Sequence, residues 1–334
     1  MTWQKAATAL LLGYAGGLCL IPVYFRLVPE RHWVTVLPCY APPLVWLAPL
    51  PLLAGLAWWL KVRPALIASA LVLPLLLASG LQLSAPARPG SLRAISYNIQ
   101  AGLGGPARLA DYLLKHSPDI IALQEARTPI APGHPDPVPI LAERLVGYQL
   151  VRGGIRDELA IFTRLPVLEQ KSHSLDGLSQ ALEATVEVNG SPLRVLDVHL
   201  MTGDPEGKLK GQASATQRLQ LTADTRRRQI DALLTLLDDP VPTLLMGDFN
   251  TPPRSHHYWR LRSLAQDAFT HGTGWGLTYK SHLPLWRIDY AWLSPDLTVT
   301  GCWTASVKLS DHRPLLVEFQ AGKESPIPAE RDTP

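Results

Sequence analysis

Charged residues are nearly missing from the first quarter of this 334-residue chain. Residues 6–25, 33–60 and 64–87 contain no Asp, Glu, Lys or Arg. The whole chain is only 18% charged, against roughly 25% for soluble domains. Cysteine is scarce too: Cys19, Cys39 and Cys302 are the only three. That number excludes a disulfide framework and a thiolate metal cage, and leaves all three as small apolar filler. The third shortage is of positive charge beyond residue 87. The first 87 residues hold Lys5, Arg26, Arg31, Lys61 and Arg63 against Glu30, leaving 26 basic and 27 acidic residues for the rest. The net charge of +3 therefore comes from the apolar segment. A domain without excess positive charge lacks the usual electrostatic footprint of a nucleic-acid binder.

What is present in the first 87 residues is apolar length. Each uncharged run approaches or exceeds the ~20 residues that cross a bilayer, so residues 1–87 read as a membrane segment of about three transmembrane helices. The first is 6–25; two further apolar runs follow it directly, which argues against a cleaved signal. The second is 44–60, preceded by a Pro-broken, kinked or interfacial stretch from residue 33. The third is 64–83. Trp58 and Trp59 followed by Lys61 and Arg63 look like an interface anchor, aromatic rings at headgroup level with cations beyond. Placing that turn in the cytoplasm makes the chain multi-pass, with its soluble part on the extracytoplasmic side.

From Arg88 the pattern becomes that of an ordinary soluble domain, expected over 88–320, with a Pro- and charge-rich disordered tail over 321–334. Short apolar runs predict strands over 92–99, 119–123, 148–152, 159–163, 181–188, 193–199, 241–246, 288–293, 297–303 and 315–319. Asn189-Gly190 marks a hairpin turn. Helices are expected over 107–116, around 138–146 and up to about 237. Residues 201–222 read as an exposed loop leading into that last helix. The balance of strands and helices points to an α/β layered domain with mixed sheets.

The ends of those strands carry the chemistry. Asn98 ends the first, and Gln124-Glu125 follow the second. Asp197 and His199 close the 193–199 strand, and Gly247-Asp248-Phe249-Asn250 follow an apolar run. Arg287-Ile288-Asp289-Tyr290 and Ser310-Asp311-His312-Arg313-Pro314 each precede a strand. Carboxylates rarely sit beside buried strands without a partner, so their recurrence argues for one shared site. Carboxylate and amide oxygens make a hard cage suited to Mg²⁺ or Mn²⁺. Such an ion neutralises phosphoryl charge, and an Asp behind a His fixes its tautomer.

These six segments, in this order, resemble the signature of the endonuclease/exonuclease/phosphatase family, over roughly residues 92–319. The resemblance implies a four-layer sandwich: two packed mixed β-sheets flanked by helices. It implies a metal-dependent phosphoesterase with Glu125, Asn98 and Asp311 as metal ligands. Asp248 would orient or deprotonate the attacking water, with Asn250 holding it and the phosphate. His199 would donate to a phosphate oxygen, and His312 would act with Asp289 as an Asp–His pair. Asp197 is expected to support a loop or the His199 backbone, and Ser310 to give local hydrogen bonding. Two features depart from relatives: Glu158 stands where a small residue is common, and Arg127 does not match the Lys of many repair nucleases.

Bland readings accompany the remaining residues: His256 and His257 as a surface pair, and Arg226-Arg227-Arg228 as a solvated helix face. Trp275, Tyr279, His282 and Trp286 either shape the pocket or simply pack. The expected function is membrane-anchored hydrolysis of a phosphate ester, most simply a phosphodiester at the bilayer. A membrane-tethered nuclease and a catalytically silent scaffold are the alternatives.

Overall fold

The computed structural model describes residues 2–42, 45, 48–61, 80–84, 91–127, 135–177, 179–202 and 214–321. The chain opens with helices α1 (Thr2–Leu27), α2 (Trp33–Tyr40) and α3 (Pro49–Trp59), followed by the two-residue strand β1 (Gln82–Leu83). Two six-stranded mixed sheets then form the body of the chain. The first sheet uses β2 (Leu92–Asn98), β3 (Ile120–Gln124), β4 (Gln149–Gly153), β5 (Leu159–Thr163), β13 (Leu297–Thr304) and β14 (Leu315–Ala321). Its strand order is β13-β14-β2-β3-β5-β4. The second uses β6 (Val167–Ser174), β7 (Gln180–Val188), β8 (Ser191–His199), β9 (Thr243–Asp248), β10 (Gln266–Asp267) and β12 (Asp289–Leu293). Its order is β10-β12-β9-β8-β7-β6. Strand β11 (Thr273–Gly274) pairs with β1.

Three buried clusters make the expected four layers. Ala94, Ile120, Ile161, Val195, Met246 and Phe319 lie among the side chains that seal the sheets to one another. Ile95, Ile121 and Leu316 turn the other way, toward α4 (Pro106–His116) and α5 (Pro137–Arg144), meeting Leu109, Leu113 and Leu141. On the opposite outer face Leu196, Leu245 and Trp292 meet Ile230 and Leu233 of α6 (Ala215–Leu237) and Leu261 of α7 (His256–Arg262). Adjacent strand residues thus feed different layers, as the two-residue period of a strand requires. Burying one such Leu or Phe stabilises the fold by about 1.5–3 kcal/mol.

Strand register places the site. Parallel β2 and β3 bring Asn98 opposite Gln124. Parallel β8 and β9 bring His199 opposite Asp248, and antiparallel β9 and β12 bring Asp248 opposite Asp289. Leu315 pairs with Ser96, so Asp311 and His312, just before β14, arrive at the same edge. Gly247 has φ +143, and a Cβ there would meet the Val198 carbonyl oxygen at 2.0 Å. Only glycine allows β9 to lie this close to β8 immediately before Asp248.

The amino-terminal part departs from the sequence expectation. Among the described residues one helix, Trp3–Leu27, is long and apolar enough to cross a membrane, with mean hydropathy 1.8. Trp3, Leu10, Leu12, Leu20 and Leu27 on it are exposed. The Gln4 amide donates to the Leu60 carbonyl just past α3 (2.9 Å), and α3 exposes Leu52, Trp58 and Trp59. The stretch read as kinked or interfacial is instead α2, docked on α6, with Val36 and Cys39 buried. Of the expected third span, 64–79 lies outside the described residues, whereas Gln82–Leu83 is a strand against Thr273–Gly274. The tail expected from residue 321 also lies outside them, except that Ala321 completes β14.

Candidate active site

Every strand-end residue singled out in the sequence arrives at one end of the sandwich. Asn98, fully buried, donates its amide to Glu125 Oε1 (3.1 Å) and Asp248 Oδ2 (3.2 Å). Its Oδ1 accepts from the Gln100 N–H at 3.1 Å. Glu125 sits at φ +53 directly after β3. His199 stands between carboxylates, with Nε2 3.9 Å from Glu125 and 3.8 Å from Asp248. Its Nδ1 lies 3.7 Å from Glu158. His312 Nδ1 lies 2.9 Å from Asp289 Oδ2 and 3.2 Å from Oδ1, and its Nε2 is 3.7 Å from Asp248. The Asp311 carboxylate accepts from Ser310 Oγ–H at 3.3 Å, while the same hydroxyl reaches the Asn98 carbonyl at 2.7 Å.

The electrostatics follow from this crowding. Burial would lower the pKa of both histidines. In His199 this is reversed by Glu158, then Asp248 and Glu125, which lift it to about 9. In His312 the carboxylates of Asp289 and Asp248 lift it to about 10. The surrounding carboxylates thus favour the protonated form of both rings. Burial raises the Asp248 carboxyl, and the like charge of Asp289 raises it further. The Asn250 N–H steadies Asp248 through Oδ1 at 2.9 Å, and the Asn250 side chain donates to the Leu200 carbonyl at 3.0 Å.

Does this set fit a metal? Donor atoms of Asp248, Asp289 and His312 lie within 4.8 Å of one another, a different group from the expected Glu125, Asn98 and Asp311. In that group His312 Nδ1 is taken by Asp289 at 2.9 Å, which leaves its Nε2 and the carboxylate oxygens as the free donors. On the other side, Glu125 and Asp248 converge on one Asn98 amide, and Asp311 stands at the same edge. These are oxygen donors with an excess of negative charge, which fits a hard divalent ion. Asn98 orders this acidic pair through its amide nitrogen while its oxygen is taken by the Gln100 N–H.

Other expectations change in the folded chain. Asp197 accepts from the Gln124 amide at 2.6 Å, tying one sheet to the other. Burial pushes its carboxyl well up. His257 is buried rather than on the surface, and Arg226 of the triple Arg is also buried. Tyr279 shapes the pocket, its ring 4.8 Å from that of His312. Glu158 beside His199 is a site residue that sequence reasoning noted as a departure without giving it a role. Arg287, buried and paired with Asp267, holds the chain just ahead of Asp289.

A profile of the Endonuclease/Exonuclease/phosphatase family matches residues 95–312, the stretch that holds every site residue named above. The chain belongs to this family. Family members are metal-dependent phosphoesterases and nucleases, and this chain is an enzyme of that class. Its fold is similar to a functionally unknown conserved protein from Enterococcus faecalis V583, at 19% identity and TM-score 0.55, covering 70% of this chain and 100% of that one. It is similar to humanized D. rerio TDP2, at 20% identity and TM-score 0.55, covering 68% and 98%. It is also similar to the mannosyl-6-phosphatase Bt3783 of Bacteroides thetaiotaomicron VPI-5482, at 17% identity and TM-score 0.54, covering 69% and 99%. A search of curated protein sequences returned no match.

Proposed function

We propose that this endonuclease/exonuclease/phosphatase family member is a membrane-anchored, Mg²⁺- or Mn²⁺-dependent phosphodiesterase acting on an ester at the bilayer surface, with its catalytic domain extracytoplasmic. The observation that carries the chemistry is the placing of two carboxylate-flanked imidazoles, His199 and His312, on either side of Asp248 at 3.8 and 3.7 Å. The anchoring reading is supported by α1, whose apolar face is exposed and whose last turn touches the catalytic domain. There the Arg26 carbonyl lies 3.0 Å from His256 Nδ1. Tethering confines the site to a thin layer and raises the effective concentration of membrane-borne esters.

Glu125 and Asp311 would hold the ion, with Asn98 ordering Glu125 beside it, and the ion when bound neutralises phosphoryl charge and orients the leaving oxygen. Asp248, buried between the two histidines, aligns the attacking water and receives its proton, its basicity raised by burial and by Asp289. Asn250 keeps that carboxylate aimed and presents its amide to the phosphate. His199 donates to a non-bridging oxygen. His312, fixed by Asp289, donates at the phosphoryl centre as charge develops there. Attack is in line, with no covalent enzyme intermediate.

TDP2 has been crystallised with a single-strand DNA product, which keeps nuclease activity as the second reading. The −1 balance of the soluble part weighs against it. The decisive experiment presents phospholipid vesicles, DNA and sugar phosphates side by side to the full-length protein and to Asp248→Asn. The expected result is hydrolysis of the lipid diester, cut by at least ~10²-fold in the variant with an unchanged melting temperature. Near-normal turnover by Asp248→Asn removes the assigned role, and DNA as the preferred substrate replaces the lipid reading with the nuclease one.

A further inference from the structure

The chain leaving α1 is bonded into the loops that carry the catalytic groups, and the bonds converge on one residue. Tyr40, at the end of α2, donates its hydroxyl to the Asn250 carbonyl at 2.7 Å. The same hydroxyl accepts from the Arg226 guanidinium, whose other nitrogen donates to the Met201 carbonyl at 2.6 Å, two residues beyond His199. The Tyr40 carbonyl accepts from the Trp286 indole N–H at 2.8 Å, three residues before Asp289. Arg254 donates to the carbonyls of Cys39 (3.2 Å) and Ala41 on either side. Upstream, the buried Glu30 carboxylate accepts from the His256 N–H at 2.9 Å. Three site loops, those after β8 and β9 and the one before β12, thus meet at position 40.

Asn250 needs such support. Its φ of +48 is in the left-handed region, which asparagine enters more readily than most side chains but which still leaves the turn to be fixed by its neighbours. Its N–H is the one that fixes Asp248 Oδ1. Burial raises the Tyr40 pKa, so the hydroxyl keeps its proton and remains a donor to Asn250.

We infer that residues 28–41 are a working part of the active site, with Tyr40 a positioning residue that holds the turn 248–250 in its catalytic conformation. The segment joining the anchor to the enzyme is then a wall of the site and not a passive linker. This rests on the reading that Asp248 performs the chemistry.

The test uses the full-length chain in detergent micelles with a chromogenic phosphodiester and Mg²⁺. Tyr40→Phe keeps the ring under Arg226, whose guanidinium carbon lies 5.4 Å from its centroid, and removes only the hydroxyl. The expected result is a kcat about tenfold lower, equivalent to ~1.4 kcal/mol of transition-state stabilisation, with KM within about twofold. The melting temperature should move by no more than about 2–4 °C, the shift for ~1 kcal/mol in a domain of this size. Arg254→Gln, which frees the flanking carbonyls while leaving Tyr40 intact, should lower kcat in the same direction. Asp248→Asn runs beside them. If Asp248→Asn is inactive while Tyr40→Phe keeps kcat within twofold, the positioning role is overturned and the catalytic reading stands. If the rate lost by Tyr40→Phe merely equals the folded protein lost, the role is structural and the inference is also overturned. If Asp248→Asn remains active, the catalytic reading fails first.

Discussion

Replacing Asp289 by Asn probes the electrostatic design with one isosteric change. The carboxylate lies 2.9 Å from His312 Nδ1 and stands opposite Asp248 in the register of β9 and β12. Unit charges about 4 Å apart interact by about 4 kcal/mol at an effective dielectric constant near 20, or close to three pKa units. That is the scale needed to lift His312 from its ordinary 6.5 to about 10 against burial. In Asp289→Asn the amide oxygen can still accept from Nδ1, so the ring stays in place while the charge goes. The His312 pKa then falls by about one to three units, the lower figure allowing for a metal ion that already offsets part of the site charge. Asp248 responds in the same direction, because the like charge that raised its carboxyl has been removed. Both limbs of the pH profile for kcat/KM therefore move to lower pH together, and the rate at a pH above the new His312 pKa falls by up to about 10²–10⁴ as general-acid assistance is lost. Steady-state kinetics from pH 5 to 10 at saturating Mg²⁺ measure this. A profile that keeps both limbs in place, or moves them apart, would refute the coupling of the three groups.

Chelation with EDTA should abolish hydrolysis, and Mg²⁺ or Mn²⁺ should restore it; full activity in chelator would remove the ion from the mechanism. Gly247→Ala should destabilise the domain by about 2–3 kcal/mol or more, since the methyl meets the Val198 carbonyl at a residue with positive φ. Urea unfolding measures the cost, and a loss below ~1 kcal/mol would mean that β8 and β9 separate easily beside Asp248.

Asn98, Glu125, His199, Asp248, Asp289 and His312 were legible because each abuts an apolar run, a local pattern that strand periodicity exposes. Their convergence was not local; it depends on β2–β3 and β8–β9 being parallel, which no single segment encodes. Strand β6 went unread because it is an edge strand, exposed on both faces for most of its length, and shows no alternation. Helix α7 is seven residues long, too short for a period, although its Ser255 cap, which accepts from the Tyr258 N–H at 2.9 Å, was a usable signal. Arg226 was misplaced on a solvated face because the buried stripe of α6 itself contains Thr222, Arg226 and Gln229. A polar stripe looks like a wet one until its partners, Tyr40 and Met201 among them, are known.

The misreading of α2 has the same origin and a wider consequence. Uncharged sequence is equally suited to lipid and to a protein surface, so composition could not separate 33–40 from a membrane span. What separates them is backbone accounting. The carbonyls of residues 39 to 41 are paired with Arg254 and Trp286, cations and indoles that a bilayer interior does not supply. A chain bonded in this way cannot move without releasing groups on which Asn250 depends. Helix α1 and the geometry of Asp248 are therefore linked through fewer than 15 residues. On the proposed reading that α1 is the anchor, this link holds the site at a fixed position relative to the bilayer.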